Sequence, residues 1–169
     1  MESQAQALFS PNPDLKIRPV RLSDARILHK TCWADRTAAY VHQVVSRAQY
    51  FAIQGRGLGV VVVAPDSTNL VAFGQLTLWA KCGEISDLIV NEHYRGHGLG
   101  TAMIQYLTRA SREMHVPYVE IGAAESNPRA LDLYRRLGFV AYKTLNLDVG
   151  TGYEPVIYLR LKFPDAKKR

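Results

Sequence analysis

The chain has 169 residues, a formal net charge of +6, and 47% hydrophobic and 21% charged residues, which is ordinary for one soluble globular domain with a sizeable core. No apolar run approaches the ~20 residues that a membrane-spanning helix needs, and the start Met1-Glu2-Ser3-Gln4 lacks the pattern of a secretion signal. The two isolated cysteines and five scattered histidines have no metal-site spacing. We therefore expect a cytoplasmic protein with free thiols, no membrane association and no metal.

The first half of the chain predicts two helices among four strands. In order, the elements are a strand over 15–20, helices over 23–33 and 36–53, and strands over 58–64, 70–79 and 81–90. Residues 1–14 are polar and predict a flexible N-terminal arm. Pro19 makes the first strand an edge strand or a strand end, and Ser23 is the expected cap of the first helix. The last three strands are close in sequence, so they should pair antiparallel through hairpins.

The second half of the chain alternates helices and strands. Its elements are a helix over 99–114, a strand over 117–122, a helix over 127–137, and strands over 139–147 and 156–163. Asn127 suits the N-cap, Pro128 the first helical position and Gly138 the C-terminal cap. The first of these helices is a crossover, so the strands on either side of it should be parallel. This order predicts a single α+β domain over 15–163, followed by a basic tail over 164–169.

A glycine-rich turn connects the strand over 81–90 to the helix over 99–114. It contains Arg95-Gly-His-Gly-Leu-Gly100. Glycines let the main chain approach a ligand closely, and a helix start offers unpaired N–H groups with a partial positive charge. We therefore expect an anion, most simply a pyrophosphate, on the amides of residues 96–101. The turn lacks the Gly-Lys-Ser/Thr end of a nucleotide-triphosphatase loop and is one residue short of the dinucleotide fingerprint.

A second glycine-rich segment, Gly55-Arg-Gly-Leu-Gly59, looks similar but has a different context. The β-branched run that follows it, Val60–Val63, predicts a strand and not a helix. Without a helix N-terminus the argument for anion binding fails, so this segment is interpreted as a turn.

The pattern Arg-x-x-Gly-x-Gly, from Arg95 to Gly100, resembles the acyl-CoA loop of the GNAT family of N-acetyltransferases. A second segment, Asn127 to Phe139, is similar to the family's Asn-x-x-Ala-x-x-x-Tyr-x-x-x-Gly-Phe, and it follows at a compatible distance. Glu92 departs from the proline that many members carry, which affects only the turn. The resemblance implies a GNAT-like mixed, mostly antiparallel sheet of six to seven strands, with a splayed central pair and about four flanking helices.

The resemblance also implies transfer of an acetyl group from acetyl-CoA, as co-substrate, to a primary amine by direct attack. The pantetheine arm would lie in the splayed gap and pair with main-chain groups of Leu88, Ile89 and Val90. A backbone N–H near Val90 would stabilise the developing oxyanion. The pyrophosphate would be bound by main-chain amides of the turn, those of Gly96, His97, Gly98, Leu99, Gly100 and Thr101.

Three further residues acquire roles through the resemblance. Arg95 either adds positive charge at the pyrophosphate or holds the loop. Asn127 touches the pantetheine, caps its helix, or does both. Tyr134 is the candidate general acid, because a phenol with a pKa near ~10 can protonate the departing thiolate; a simple packing role is the alternative.

The acceptor amine has to lose a proton before it attacks, and a carboxylate is a suitable general base. We expect Glu84 in this role, with Asp87 as the runner-up and a water chain without a dedicated base as a third option. Glu84, Ser86 and Leu88 would share one face of a regular strand, but a bulge, which the family often shows, would change that. His97 lies in the phosphate turn, so ligand contact or exposure is expected there.

Two other functions compete with the transferase. One is a CoA-binding regulatory module without turnover, against which the presence of Tyr134 argues mildly. The other is a nucleic-acid-binding domain, which ranks last because the chain lacks an aromatic-lined strand pattern and a Lys/Arg-rich helix face. The expected partner is a small-molecule or peptide amine, selected by the helices over 23–53 and the loop near 148–155, and not nucleic acid. A homodimer is an option that the family analogy leaves open.

Overall fold

The computed structural model describes residues 16–64 and 68–164, and in these ranges it contains a seven-stranded sheet and four α-helices. The strands are β1 (Lys16–Pro19), β2 (Gly57–Val63), β3 (Leu70–Leu78), β4 (Gly83–Val90), β5 (Tyr118–Ala124), β6 (Val140–Asp148) and β7 (Tyr153–Lys162). The helices are α1 (Ala25–Thr31), α2 (Ala38–Ile53), α3 (Leu99–Glu113) and α4 (Pro128–Arg136), with 3-10 turns at Leu22–Asp24 and Glu92–Tyr94.

The sheet has the strand order β1-β2-β3-β4-β5-β7-β6, and every pairing is antiparallel except that of β4 with β5. This confirms the α+β prediction, the antiparallel hairpins and the parallel central pair. Helices α1 and α2 cover one face of β2 and β3, whereas α3 and α4 pack on the opposite face, mainly against β3, β4, β5 and β7. No helix covers the α1 and α2 side of β5, β7 and β6 in the described part of the chain.

The start of the helical region differs from the sequence prediction. Ser23 does not cap a helix, because it lies inside the turn Leu22–Asp24. The buried Asp24 accepts a hydrogen bond from the Arg21 amide at 2.8 Å, which closes this turn, and its side chain makes no capping bond to α1. The same carboxylate binds the Arg18 guanidinium at 2.8 and 2.9 Å. An ion pair between β1 and the turn thus replaces the local serine cap.

Strand β4 contains a β-bulge. The register steps from Phe73↔Ile89 to Gln75↔Ser86, so β4 has one more residue than β3 over this stretch. Asp87 lies in the bulge with a φ of 52°, which is unusual for a residue other than glycine. The strand is thus not regular, and the alternative of a bulge holds: Leu88 does not share the face of Glu84 as it would in a regular strand.

The β4–β5 pair separates after three rungs. Gly83, Glu84 and Ile85 are paired with Val119, Glu120 and Ile121, and no pairing continues towards Val90 and Ala124. The two strands remain held on their outer sides, β4 by β3 and β5 by β7. A gap between them is therefore built into the sheet, as the predicted splay requires.

Some predictions fall on residues that the structure does not describe. The predicted arm 1–14 and all but Pro164 of the predicted tail 164–169 lie outside the described ranges. Within those ranges, no helix combines the length and the apolar character needed to cross a membrane. No cluster of three or more His, Cys, Asp or Glu side chains in the same ranges could hold a metal ion.

Candidate active site

The turn before α3 presents a run of unpaired main-chain amides. The first helical hydrogen bond runs from the Ala102 amide to the Gly98 carbonyl at 3.0 Å, so residues 99–101 have no partner within the helix. No main-chain hydrogen bond to the amides of residues 96–98 is formed within the described ranges either. Six consecutive donors at a helix N-terminus suit an anion with several oxygens.

Glycine occurs at the positions of this turn for different physical reasons. Gly96 and Gly98 both have a φ of 80°, in the left-handed region that side chains disfavour. Gly100 has no such constraint, and a Cβ built on it would meet only Leu133 Cδ2 at 4.0 Å, an ordinary contact. Neither backbone conformation nor protein packing explains Gly100. Its missing side chain leaves unfilled space within the run of free amides, and a ligand could use that space.

The two side chains of the turn fold back on its main chain. Arg95 donates a hydrogen bond from Nε to the Val90 carbonyl at 3.1 Å, which supports the interpretation that this residue holds the loop. His97 places Nδ1 3.0 Å from the Arg95 carbonyl and 3.3 Å from the Tyr94 carbonyl. Both side chains are exposed.

The gap between β4 and β5 starts next to this turn. Leu88, Ile89 and Val90 pass along it, and their backbones have no strand partner on the β5 side. Leu88 and Val90 pack on the α3 face of the sheet and Ile89 on the α1 face. The strand edge along the gap thus lacks a strand partner and can pair with an extended chain, although the Val90 carbonyl already accepts a hydrogen bond from Arg95.

Helix α4 supplies the two residues of the second motif. The Asn127 side chain accepts a hydrogen bond from the Ala130 amide at 3.2 Å, so the capping role is confirmed. Tyr134 lies on the next turns, packed with Ile121, Leu131 and Phe139. Burial raises its pKa to about 12, so the phenol keeps its proton at neutral pH. No described residue forms a hydrogen bond with its hydroxyl.

Three carboxylates lie on or near the opposite, uncovered side of the sheet. Glu84 is half-buried and accepts a hydrogen bond from Trp79 Nε1 at 2.6 Å through one oxygen. Asp87, in the bulge, accepts a hydrogen bond from the side-chain amide of Gln75 and a longer one from the Ser86 hydroxyl. Glu120, buried on β5, is the register partner of Glu84.

Glu120 was missed by the sequence reasoning. Its carboxylate accepts a hydrogen bond from the Tyr142 hydroxyl and lies 4.0 Å from Arg160 Nη2. The Arg160 guanidinium stacks between Tyr118 and Tyr142, with its Cζ 4.0 and 3.9 Å from the ring centroids. The only sequence signal was a glutamate at a polar position of an alternating strand, and that pattern does not show which side chains β6 and β7 bring to it.

The residues of the turn, the gap and α4 fit a CoA thioester. Six free amides suit its pyrophosphate, the unfilled space at Gly100 admits it, and the open edge of β4 suits the amide-bearing pantetheine arm. The structure brings these three features to one edge of the sheet. Glu84 is separated from them by the bulge and lies on the other face.

Comparisons with known proteins agree with this geometry. A 72-residue segment is 36% identical to an N-alpha-acetyltransferase of Sulfurisphaera tokodaii, and it represents 42% of this chain and 43% of that protein. The chain therefore matches less than half of that relative's length.

Two solved structures are similar in fold. An acetyl transferase of Salmonella typhimurium that modifies the N-terminal serine of a 50S ribosomal subunit protein has a TM-score of 0.76 at 12% identity, over 92% of this chain and 99% of that one. A spermidine/spermine N-acetyltransferase of Vibrio cholerae has a TM-score of 0.71 at 18% identity, over 90% and 95%. The sequence profile of the Acetyltransferase (GNAT) family matches residues 24–139, well over half of the chain. The chain belongs to the acetyltransferase (GNAT) family.

Proposed function

We propose that the protein transfers an acetyl group from acetyl-CoA to a primary amine by direct attack. The observation that carries the proposal is the six unpaired amides of residues 96–101, placed at the mouth of the gap between β4 and β5. The same turn and gap would also suit a CoA-binding module without turnover. The buried, protonated Tyr134 favours the transferase, because a binding module has no need of a proton donor there.

When bound, acetyl-CoA supplies an activated acyl carbon and a thiolate leaving group. The turn amides bind the pyrophosphate, and the open edge of β4 at Leu88, Ile89 and Val90 orients the pantetheine arm. Tyr134 holds a proton at its hydroxyl and donates it to the departing sulfur. A main-chain N–H near Val90 stabilises the negative charge that develops on the acyl oxygen.

Glu84 accepts the proton that the attacking amine loses. Its carboxylate is half-buried, and Trp79 binds only one of its two oxygens; the exposed Asp87 also keeps one oxygen free and stays the runner-up. The carboxylate of Asp87 is bound by Gln75, and that of Glu120 is held by Tyr142 and Arg160. Glu84→Gln should therefore reduce kcat/KM more at pH 7 than at pH 10, where the free amine is abundant. Glu120→Gln is the comparison, and an equal or larger loss there would transfer the role to Glu120.

The acceptor is a primary amine on a small molecule or a peptide. The relatives support both kinds, since their names include acetylation of an N-terminal serine and of spermidine or spermine. In this chain the acceptor would approach from the side of Glu84, opposite the packed face of α3 and α4.

The decisive experiment measures thiol release from acetyl-CoA across a panel of small amines and peptides, with Tyr134→Phe as the test variant. We expect turnover with at least one amine and a fall in kcat of roughly 10²-fold in the variant. Calorimetry should give CoA affinities within a few-fold of each other, because Tyr134 contacts the cofactor only at its sulfur and the turn and strand edge supply the other contacts. CoA binding without turnover on any amine would identify the binding module instead, and an unchanged kcat would remove Tyr134 as the acid.

A further inference from the structure

An exposed group of aromatic and basic side chains lies at the end of α2 that is next to Trp79. Phe51 is at its centre, with the Arg47 and Arg56 guanidinium carbons 5.6 and 5.7 Å from its ring centroid and the Trp79 ring 6.4 Å away. Tyr50 and Ile53, which are 60% and 77% exposed, flank it. We call these side chains the Phe51 patch; it consists of Arg47, Tyr50, Phe51, Ile53, Arg56 and Trp79.

The two arginines of this patch are free of ion pairs with the described carboxylates, although Glu84 is hydrogen-bonded to Trp79. Between Thr37 and Gly83 the sequence contains a single acidic residue, Asp66, which the structure does not describe. Arg47 and Arg56 are exposed, and neither makes an ion pair with a described carboxylate. Each guanidinium is pre-oriented by its ring contact, so its outer N–H groups are available for a carboxylate partner.

The patch is connected directly to the acceptor side of the site. Its Trp79 donates the 2.6 Å hydrogen bond to Glu84, so the indole joins the patch to the candidate base. Strand β4 extends from Gly83 to Val90, and eight residues place these two ends about 23 Å apart. The patch is thus at the end of β4 far from the phosphate-binding turn, where the part of an acceptor beyond its reacting amine would lie.

We propose that the Phe51 patch binds an acidic segment of a polypeptide acceptor, so that the protein prefers amines on acidic peptides. This inference rests on the proposed acetyl transfer and adds the substrate class. Exposed apolar surface at Tyr50, Ile53 and Trp79 suits peptide side chains, and the two arginines suit carboxylates. A nucleic acid would need many phosphate contacts along a basic stripe, and this patch offers two stacked arginines.

The test uses the full chain and three peptides that share their first four residues and differ beyond them, with an acidic, a neutral or a basic tail. The readout is the ratio of kcat/KM for the acidic and the neutral peptide. Because the reacting ends are identical, this ratio reports only on the tail. We expect a ratio of roughly tenfold at low salt, falling as salt is added. In Arg47→Glu/Arg56→Glu the ratio should fall to one or below it, with the basic peptide preferred.

The control variant is Arg112→Glu/Arg136→Glu, which changes the net charge by the same amount on the opposite face. Arg112 is well matched, because its Cζ also lies over a phenylalanine, 5.1 Å from the Phe163 centroid. The acidic-to-neutral ratio should be unchanged in this control. An equal loss in both variants would mean that net charge and not the patch sets the preference. If the test variant does not fold, Arg47→Gln/Arg56→Gln should still lower the ratio.

The failure of this inference and that of the proposed function can be told apart. If no small amine or peptide is acetylated, the proposed function fails. If amines are acetylated but the three peptides react at equal rates whatever their tails, only the inference fails. Fluorescence anisotropy with the N-terminally blocked acidic peptide and with a single-stranded RNA oligonucleotide completes the test. The peptide proposal would be overturned if the RNA bound more tightly than the peptide and if Arg47→Glu/Arg56→Glu abolished this RNA binding.

Discussion

Tyr134 combines an ionisable hydroxyl with a core position, and burial favours the neutral form of the phenol. The ring packs against Phe139 at a centroid distance of 6.4 Å, and the pKa is raised to about 12. In the unfolded chain a tyrosine loses its proton near pH ~10. The raised pKa therefore contributes stability that is fully present below about pH 10, and that is lost as the pH rises towards 12.

The stability of the protein should consequently depend on Tyr134 at high pH. The unfolded state loses this proton first as the pH rises from about 10 to 12, so the free energy of unfolding falls over that interval, by roughly 3 kcal/mol at most. Urea denaturation from pH 8 to 12 measures it. Tyr134→Phe should show a smaller decline, since the other tyrosines titrate in both proteins. Parallel curves for the two proteins would contradict the buried, neutral phenol.

A substitution at Gly100 should affect ligand binding and folding stability differently. Gly100→Ala should leave the free energy of unfolding unchanged or raise it by up to about 1 kcal/mol, because alanine is the better helix former and its Cβ meets no close neighbour. The methyl group would fill the space next to the free amides, so the Kd for CoA should rise roughly tenfold. Calorimetry and urea denaturation measure the two effects. Arg109→Ala, on the exposed part of α3, should change neither.

If Gly100→Ala weakened the fold and left CoA binding intact, the opposite interpretation would hold, and Gly100 would be a packing residue.

At the scale of elements, the ion pair between Arg18 and Asp24 joins β1 to the turn that starts the helical region. Burial alone would raise the pKa of Asp24, but the hydrogen bonds from Arg18 and the Arg21 amide and the nearby positive charges outweigh it and lower the pKa. A lowered pKa means that the pair stabilises the fold above the carboxyl's usual range. This contribution is lost as the pH falls through the folded-state pKa.

Asp24→Asn should therefore lower the free energy of unfolding by about 2 kcal/mol at pH 7, because it leaves Arg18 partly buried without a charged partner. The difference between the two proteins should shrink below pH ~4, where the unfolded-state carboxyl takes up its proton. Asp35→Asn is the matched control, since Asp35 forms a 3.8 Å pair with Arg36 on the exposed surface. That change should stay within about 0.5 kcal/mol. Equal losses in the two variants would contradict a special role of Asp24.

The splay of β4 and β5 is a second feature of this scale. The extra residue at Asp87 moves Leu88 to the α3 face, while Glu84 faces the other side. Such a bulge depends on what pairs with β4 on its β3 side, and nothing in the residues 83–90 alone requires it. The resemblance to a family raised the expectation of a bulge; the alternation of residue types did not.

For the whole molecule, CoA should act as a stabilising ligand that joins two parts of the sheet. The turn amides follow β4, whereas Asn127 and Tyr134 follow β5, and the gap separates these halves over its length. CoA at about 100 times its Kd should raise the free energy of unfolding by about 2.7 kcal/mol, and Tm by roughly 5–10 °C. Differential scanning calorimetry at several CoA concentrations measures this, and Gly100→Ala should need more CoA for the same shift. A Tm independent of CoA would contradict the site.

Most element types were predictable because their signals are local. Thr37 and Asn127 cap the two helices they precede, Gly138 ends α4 with a φ of 94°, and Gly55 opens a turn before β2. Helical periodicity placed α2 and α3 within two residues of their observed starts. The Ser23 cap was wrong because Ser23 lies inside a 3-10 turn, which Asp24 closes by binding the Arg21 amide and the Arg18 side chain from β1.

The sequence by itself determined the strand, the glycine-rich turn at 95–100 and the helix that follows it, because glycine conformations and helix caps depend on neighbouring residues. It also indicated Tyr134, through the spacing of the second motif. Only the tertiary structure decided what lies around the gap: the insertion of β7 between β5 and β6, the register that pairs Glu84 with Glu120, and the contact of Trp79 with Glu84. These features depend on pairing between segments that are distant in sequence. The free energy of such pairing depends on both partners, and a local sequence pattern does not show which segments become partners.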